Sequence, residues 1–436
     1  MSLNIMEEVF NFKIIPDLKK VSKYKWIGKI PKSWKVIRLR YLCTIETGTK
    51  DTQDREKDGK YPLFVRSQII EKINSYTHNT EAVMTAGDGV GVGKVFHFYN
   101  GKFSAHQRVY IFKNFVHSVG KFIYYYLKVN LASEVLSSNA KSTVDSLRRR
   151  MLADFPIALP SVKDQEIIVK FVDKVQFKLD QIISKKQQII SLLEEKRQAI
   201  ITHTVTKGLD PDVPMKDSGI EWLGEIPEHW QLLPLKRIAS IMPSGVDKKS
   251  KDDEFPVELC NYIDVYYNEE ILENLDFMKA TASINEIQKF KLQKGDVIIT
   301  KDSETPDDIA VPAYVPQDLD VICGYHLTLL RSNEHKIIGE FLFRSIQSNL
   351  VKQQYSSVAY GITRYMISIR GTGSVLLSIP PIEEQKQIVK YISAKVSIIE
   401  LLKGKISKQI ELLKEYKQAL ITNAVTGKID VRDYDS

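Results

Sequence analysis

The residues best placed to do chemistry are the glycines and lysine of GDGVGVGKV, Gly87 to Val95. A phosphate-cradling loop needs its first glycine where Asp88 stands, and Ser or Thr where Val95 follows Lys94. A dinucleotide fingerprint would need glycine at Val92. The run reads better as a turn in a β-rich domain, although its N–H groups and Lys94 could touch a phosphate. The eight histidines form no HExxH, and Cys43, Cys260 and Cys323 are too far apart for a zinc knuckle or a disulfide framework. No metal site is expected. The G-x-S-x-G elbow is absent, as is the Asn-Pro-Pro-aromatic tetrapeptide of amino-methyltransferases. Glu194-Glu195-Lys196 resembles a fragment of a nuclease site, but it falls within a long helical pattern and reads as a solvated face. No catalytic residue emerges.

The elements that would position a site are therefore the next question. The chain has 436 residues, 43% hydrophobic and 27% charged, enough for two or three domains with their own cores. The net charge of +8 is unevenly spread. Residues 1–150 hold 26 Lys and Arg against 13 Asp and Glu, whereas residues 211–370 hold 17 against 25. A basic balance invites a polyanion. No run of eighteen apolar residues and no basic-then-apolar leader is present, so a cytoplasmic protein without membrane contact is expected. The scattered cysteines fit a reducing compartment.

The chain is a duplication. WIGKIPKSW from Trp26 returns as WLGEIPEHW from Trp222, and LPSVKDQEIIVKFV from Leu159 returns as IPPIEEQKQIVKYI from Ile379. The second pair runs on without a gap, with 17 identities over the 52 positions of residues 159–210 and 379–430. A weaker pair sets SSNAKSTVDSLRRRML, from Ser137, against SSVAYGITRYMIS, from Ser356. The order is A, B, A′, B′.

In B, Ile168, Val172, Val175, Leu179, Ile182, Ile189, Leu193 and Ile200 alternate spacings of four and three; B′ matches with Ile388, Ile392, Ile399, Leu402, Ile406, Leu413 and Leu420. Period 3.5 predicts long helices with a coiled-coil seam. Pro160 and Pro380 mark the starts, and Gly208 and Gly427 the ends. Two seams in one chain most simply pair antiparallel; helices that each cross a domain core, or pair between molecules, are the competing readings. In the A units, VFHFY and RVYIF flank Asn100-Gly101, a hairpin signal, and GDVIIT with LTLLR play the same part in A′. KFIYYYLKVN and EFLFRSIQSNL are helical. The fold class is therefore α+β: two mixed domains and two long helices in an antiparallel coiled coil, related by a pseudo-twofold duplication. The boundaries are 1–158, with an N-terminal extension over 1–25, then 159–210, 211–378 and 379–436.

This order, with W-[IL]-G-x-I-P-x-x-W opening both variable domains, resembles the specificity subunit of type I restriction–modification systems. The likeness runs from about Trp26 to Asp430. It implies that each A unit is a target-recognition domain reading one half of a split, asymmetric sequence in double-stranded DNA, and that the helices act as a spacer ruler. It implies two methyltransferase (modification) subunits as partners, with restriction/motor subunits in the larger complex. No cofactor is expected on this chain; S-adenosylmethionine would sit on the modification subunit. The extension before Trp26 is longer than the lead-in before Trp222. A self-contained DNA enzyme and a coiled-coil adaptor without a DNA role are the other two readings.

Under the resemblance, DNA-binding candidates align around three loops. Lys50 corresponds to Lys248 and Lys249; Arg66 and Gln68 face Cys260 and Tyr262; Gln107 and Arg108 face Tyr325 and His326. Arginine could fork onto guanine and glutamine pair adenine; a surface residue without special duty is the alternative for each. Lys94 belongs to the glycine-rich run. Lys141, Ser142, Thr143 and Arg148 in the first closing loop, and Tyr360, Gly361, Thr363 and Arg364 in the second, suit backbone contact. Arg148-Arg149-Arg150 could instead cap a helix. Tyr124-Tyr125-Tyr126 reads as core rather than a stacking platform, and Trp26, Trp34, Trp222 and Trp230 as pins to the helices. The acidic second domain should gather Lys248, Lys249, Lys301 and Arg364 on one face if it is to hold DNA by itself.

Overall fold

The structure, a computed structural model, describes residues 13–433 apart from 22, 23, 25 and 139–145. The chain divides into two compact units, residues 1–186 with 407–436, and residues 187–406. Two helices dominate, Val162–Lys207 and Ile382–Val425. Each starts just after the expected proline and ends at a left-handed glycine, Gly208 (φ +82) and Gly427 (φ +68).

Within each unit the two helices run antiparallel. In the first, Lys186 Nζ donates to Gln409 at 2.7 Å and Lys417 Nζ to Asp180 at 2.6 Å. In the second, Lys403 Nζ donates to Glu194 at 2.6 Å, and Arg197 Nε lies 3.5 Å from Glu400. Glu194 is thus a helix-pairing residue. The expected seam positions hold at the domain-packed ends, and in between burial moves to Ile183 and Ile410. Ile168, Val172, Val175, Leu179, Ile388, Ile392, Ile399 and Leu420 are buried, but Ile182, Ile189 and Leu402 are each more than 40% exposed. Burial there follows the α+β domain that covers the helix, not the heptad alone.

The first unit carries a six-stranded sheet in the order Thr44–Thr47, Val109–Lys113, His78–Ala86, Phe96–Ala105, Tyr61–Phe64, Ile70–Ile73. It is antiparallel except where Tyr61–Phe64 runs parallel to Phe96–Ala105. Asn100-Gly101 is no turn. Both residues lie inside the strand Phe96–Ala105, opposite Glu81 and Thr80, and Gly101 supplies a φ of +144 there. The two strands expected to form that hairpin both pair with His78–Ala86 instead. In the second unit Val297–Thr300 and Leu327–Ser332 do pair with each other, inside the four-stranded order Ala239–Pro243, Leu327–Ser332, Val297–Thr300, Pro312–Tyr314. A three-stranded sheet of Met278–Ala282, Phe255–Cys260 and Val321–Cys323 completes it.

The repeated segments do matching work in both units. Gln165 and Gln385 are fully buried on the first turns of the long helices. Gln165 Oε1 accepts from Val119 N at 2.8 Å while Nε2 donates to the carbonyls of Pro160 and His117. Gln385 repeats this with Ile338, Pro380 and Lys336. Trp34 and Trp230 are buried pins beside the helix-ending glycines; Trp26 is half-buried on Phe155, and Trp222 is 43% exposed, which removes it from that role. Tyr125 and Tyr126 are core, with Tyr125 Oη donating to Asp173 of the first long helix.

The N-terminal lead-in is not surplus. Leu18–Lys20 pairs with Lys29–Pro31 as Met215–Asp217 pairs with Glu225–Pro227. Lys19 Nζ caps the carbonyls of Lys32 and Trp34, and Lys216 Nζ those of Glu228 and Trp230. Lys13–Ile14 then pairs with Ile429–Asp430. Among the described residues no helix is long and apolar enough to cross a membrane.

Candidate nucleic-acid interface

In the first unit three loops converge at one end of the large sheet, because strand pairing forces them together. His106 N donates to Phe64 O at 2.9 Å, Gln107 N to Lys50 O at 2.8 Å, and Gly87 N to Arg108 O at 2.8 Å. Asp88 stands at the centre. Its carboxylate accepts from Arg66 Nη1 at 2.8 Å and from Arg108 Nη1 at 2.6 Å. Partial burial pushes its carboxyl up, but the two guanidiniums outweigh this and hold it below the usual carboxylate range. Gln107 Nε2 donates to Asp51 at 2.9 Å, and Gln68 Nε2 to the Lys94 carbonyl at 3.0 Å. Arg66, Gln68, Lys94, Gln107 and Arg108 are exposed, and Lys50 is half-buried. Arg148 is exposed on the segment that leaves this cluster, since Leu147 N donates to Gly87 O. Lys141, Ser142 and Thr143 lie outside the described residues.

The second unit repeats the arrangement with different side chains. Lys301 N donates to His326 O at 3.0 Å and Ile367 N to Lys301 O at 3.1 Å, the counterparts of the bonds at Gly87. Asp302 therefore occupies the place of Asp88. It accepts from Arg364 Nε at 3.0 Å and contacts His326 Nδ1. Lys301 Nζ donates to Ser244 O at 2.9 Å and lies 4.3 Å above the Tyr325 ring; burial lowers its ammonium below the ordinary lysine value. His326 takes a left-handed φ of +71, strain held by its neighbours at a candidate site. Tyr262, Thr363 and Arg364 line an open cavity of about 520 Å³ with Ser303 and Asp308. Tyr360 is paired through its backbone to Met366, which closes the Gly361–Arg364 turn. Lys248 and Lys249 are exposed just after Val246, whose carbonyl accepts from Tyr325 N at 2.8 Å.

Two alignments change. Phe64 pairs with Ala105 where Cys260 pairs with Cys323, and Gly324 N donates to Cys260 O as His106 N donates to Phe64 O. Arg66 thus matches Tyr262, and Cys260 is a fully buried core residue. Similarly Lys50 matches Val246, because Gln107 N and Tyr325 N donate to their respective carbonyls. Both matches keep the spacing that carries Trp26 to Trp222, so the register of the repeated tryptophan motif runs on without a gap to Arg66 and Tyr262. The two central aspartates were missed. Asp88 was visible only as a misfit in a phosphate-loop pattern, and Asp302 sits in an acidic run that carries no motif.

Among the described residues, no cluster of three or more His, Cys, Asp or Glu could hold a metal ion. Residues 31–194 and 227–412 match the family model described as type I restriction modification DNA specificity domain. The chain is 22% identical to the type I restriction enzyme EcoDI specificity subunit of Escherichia coli, over 92% of this chain and 90% of that one. It is also 22% identical to the MjaVIII specificity subunit of Methanocaldococcus jannaschii, over 93% and 95%. A chain solved in work on complex assembly and conformational transition of the type I R-M system has the same fold, with a TM-score of 0.69 at 14% identity, covering 92% of this chain and 99% of that one. With both repeats matched over most of its length, this chain belongs to the type I restriction modification DNA specificity domain family.

Proposed function

We propose that this chain is the non-catalytic, sequence-specific DNA-recognition subunit of a cytoplasmic type I restriction–modification complex. Each unit reads one half of a bipartite target. Two modification subunits, carrying S-adenosylmethionine, dock on the chain and methylate adenine; the motor and nuclease subunits join in the larger assembly. The observation that carries this reading is one scaffold presented twice with unlike readers. Around Asp88 stand Arg66, Gln107 and Arg108; around Asp302 the matched places hold Tyr262, Tyr325 and His326. A common frame with exchanged side chains is what two different half-sites require, since base edges specify and phosphates only position.

The test is to sequence adenine methylation in cells carrying this chain with its modification partner. A split motif is expected. Arg66→Ala should relax one position of one half-site, worth about 1–3 kcal/mol of discrimination, and leave the other half unchanged. A continuous motif, or methylation that ignores Arg66, would refute the reading.

A further inference from the structure

The first unit has a second basic feature beside its reading loops. An open cavity of about 860 Å³ is lined by Arg38, Arg40, Arg149 and Arg150, with Asp154 as the only carboxylate among the described residues that line it. Arg38 ends the strand Lys35–Arg38, Arg40 sits in the following turn, and Arg149 and Arg150 open the short helix Arg149–Asp154. Asp154 accepts from Arg38 Nη1 at 3.1 Å, contacts Arg40 Nη2, and lies 3.8 Å from Arg150 Nε. Arg149 Nη2 turns to the Ile45 carbonyl at 2.9 Å. Four permanent positive charges thus face one negative charge, and the excess is positive. The Arg40 and Arg150 side chains are 40% and 93% exposed, with N–H groups left for a ligand.

The scaffold is repeated in the second unit with only part of the charge. Leu39 N donates to Phe155 O, and Leu235 N to Val375 O, both at 2.9 Å. That register sets Arg38, Arg40, Arg149, Arg150 and Asp154 against Pro234, Lys236, Ile369, Arg370 and Ser374. The cation is kept at the places of Arg40 and Arg150, as Lys236 and Arg370, and lost at those of Arg38 and Arg149. The helix that carries Arg149 and Arg150 follows directly on the reading cluster, because Ser146 bridges Asp88 and Leu147 N donates to Gly87 O three residues or fewer before Arg149.

We propose that this arginine cavity grips the phosphate backbone of duplex DNA beside the half-site read by the first unit. The inference rests on the DNA-reading function proposed above. Planar guanidiniums suit phosphate oxygens, and Asp154 holds Arg38 and Arg40 while offsetting one of the four positive charges.

The test uses the full chain assembled with its modification subunits and a duplex containing the target. Arg40→Ala with Arg150→Ala should flatten the slope of log binding constant against log salt by about 2, at roughly 0.9 per phosphate lost. The methylated sequence should stay the same, and Arg40→Lys with Arg150→Lys should restore most of the slope. An unchanged slope with an intact complex overturns the proposal. So does an unchanged slope with a complex that dissociates in sedimentation, which would place an acidic protein surface in the cavity. If the unaltered complex shows no salt-dependent DNA binding while Arg66→Ala also changes nothing, the DNA-reading function itself fails.

Discussion

Asp88 and Asp302 do the same job with different partners. A carboxylate among cations lowers net positive charge, so its presence at a DNA-facing surface is a cost unless it fixes geometry. Asp88 holds the guanidiniums of Arg66 and Arg108 at 2.8 and 2.6 Å, restricting two long side chains before any ligand arrives. Asp88→Asn should therefore strengthen non-specific binding and weaken discrimination by about tenfold, near 1.4 kcal/mol. Competition binding of target against random duplex checks this; a fall in both affinities together would contradict it. A second group gives a pH signature. His106 Nδ1 accepts from Arg108 N at 3.0 Å, so that nitrogen carries no proton. Burial lowers the imidazole pKa, against the pull of Asp51, with Arg66, Arg108 and Asp88 also nearby. The unfolded chain then binds more protons than the folded one below about pH 6.5. Stability should be full above that value and decline as pH falls towards the depressed folded value. Melting temperature between pH 7 and 5 should show the decline, and His106→Asn should remove this residue's share of it.

The long helices were legible in the sequence because a helix is written locally. Pro160, Gly208 and apolar spacing mark one without reference to distant residues. Gln165 and Gln385 show what that pattern omits. Each looks like a routine polar residue after an N-terminal proline, yet each is buried and joins helix to domain by three hydrogen bonds. Gln165→Leu would leave Val119 N and two carbonyls without this partner, costing about 1–3 kcal/mol for each buried group left unpaired. Thermal unfolding should show loss of that order, and Gln385→Leu an equivalent one; a shift below 1 kcal/mol in both would remove the glutamines from any joining role. Sheet order was less legible. Strand pairing is non-local, so Asn100-Gly101 advertises a turn that the partner strand His78–Ala86 overrides. The convergence of Lys50, Arg66, Gln107 and Arg108 could be guessed from the three aligned loops. The match of Arg66 with Tyr262 was legible too, because it keeps the spacing that carries Trp26 to Trp222, and the strand pairing agrees with it.

At the scale of the whole molecule, the duplication divides labour unequally. A net charge of +8 conceals a basic first domain and an acidic second one. The first has Arg38, Arg40, Arg149 and Arg150 in one cavity, whereas the second has Lys301 and Arg364 engaged by Ser244, Tyr325 and Asp302. Phosphate affinity should come mainly from the first. The two long helices belong partly to each unit, with the division at Lys186–Gln187 and Ile406–Ser407. Those junctions are where length can be added without touching either reader. Four residues inserted at both would add about 6 Å of helix and about 40° beyond a full turn. If the helices set the gap between half-sites, as we propose, the inserted chain should methylate a target with a different gap and both half-sites intact. Methylation mapping that returned the original gap would separate the helices from that function and leave them as domain-packing elements alone.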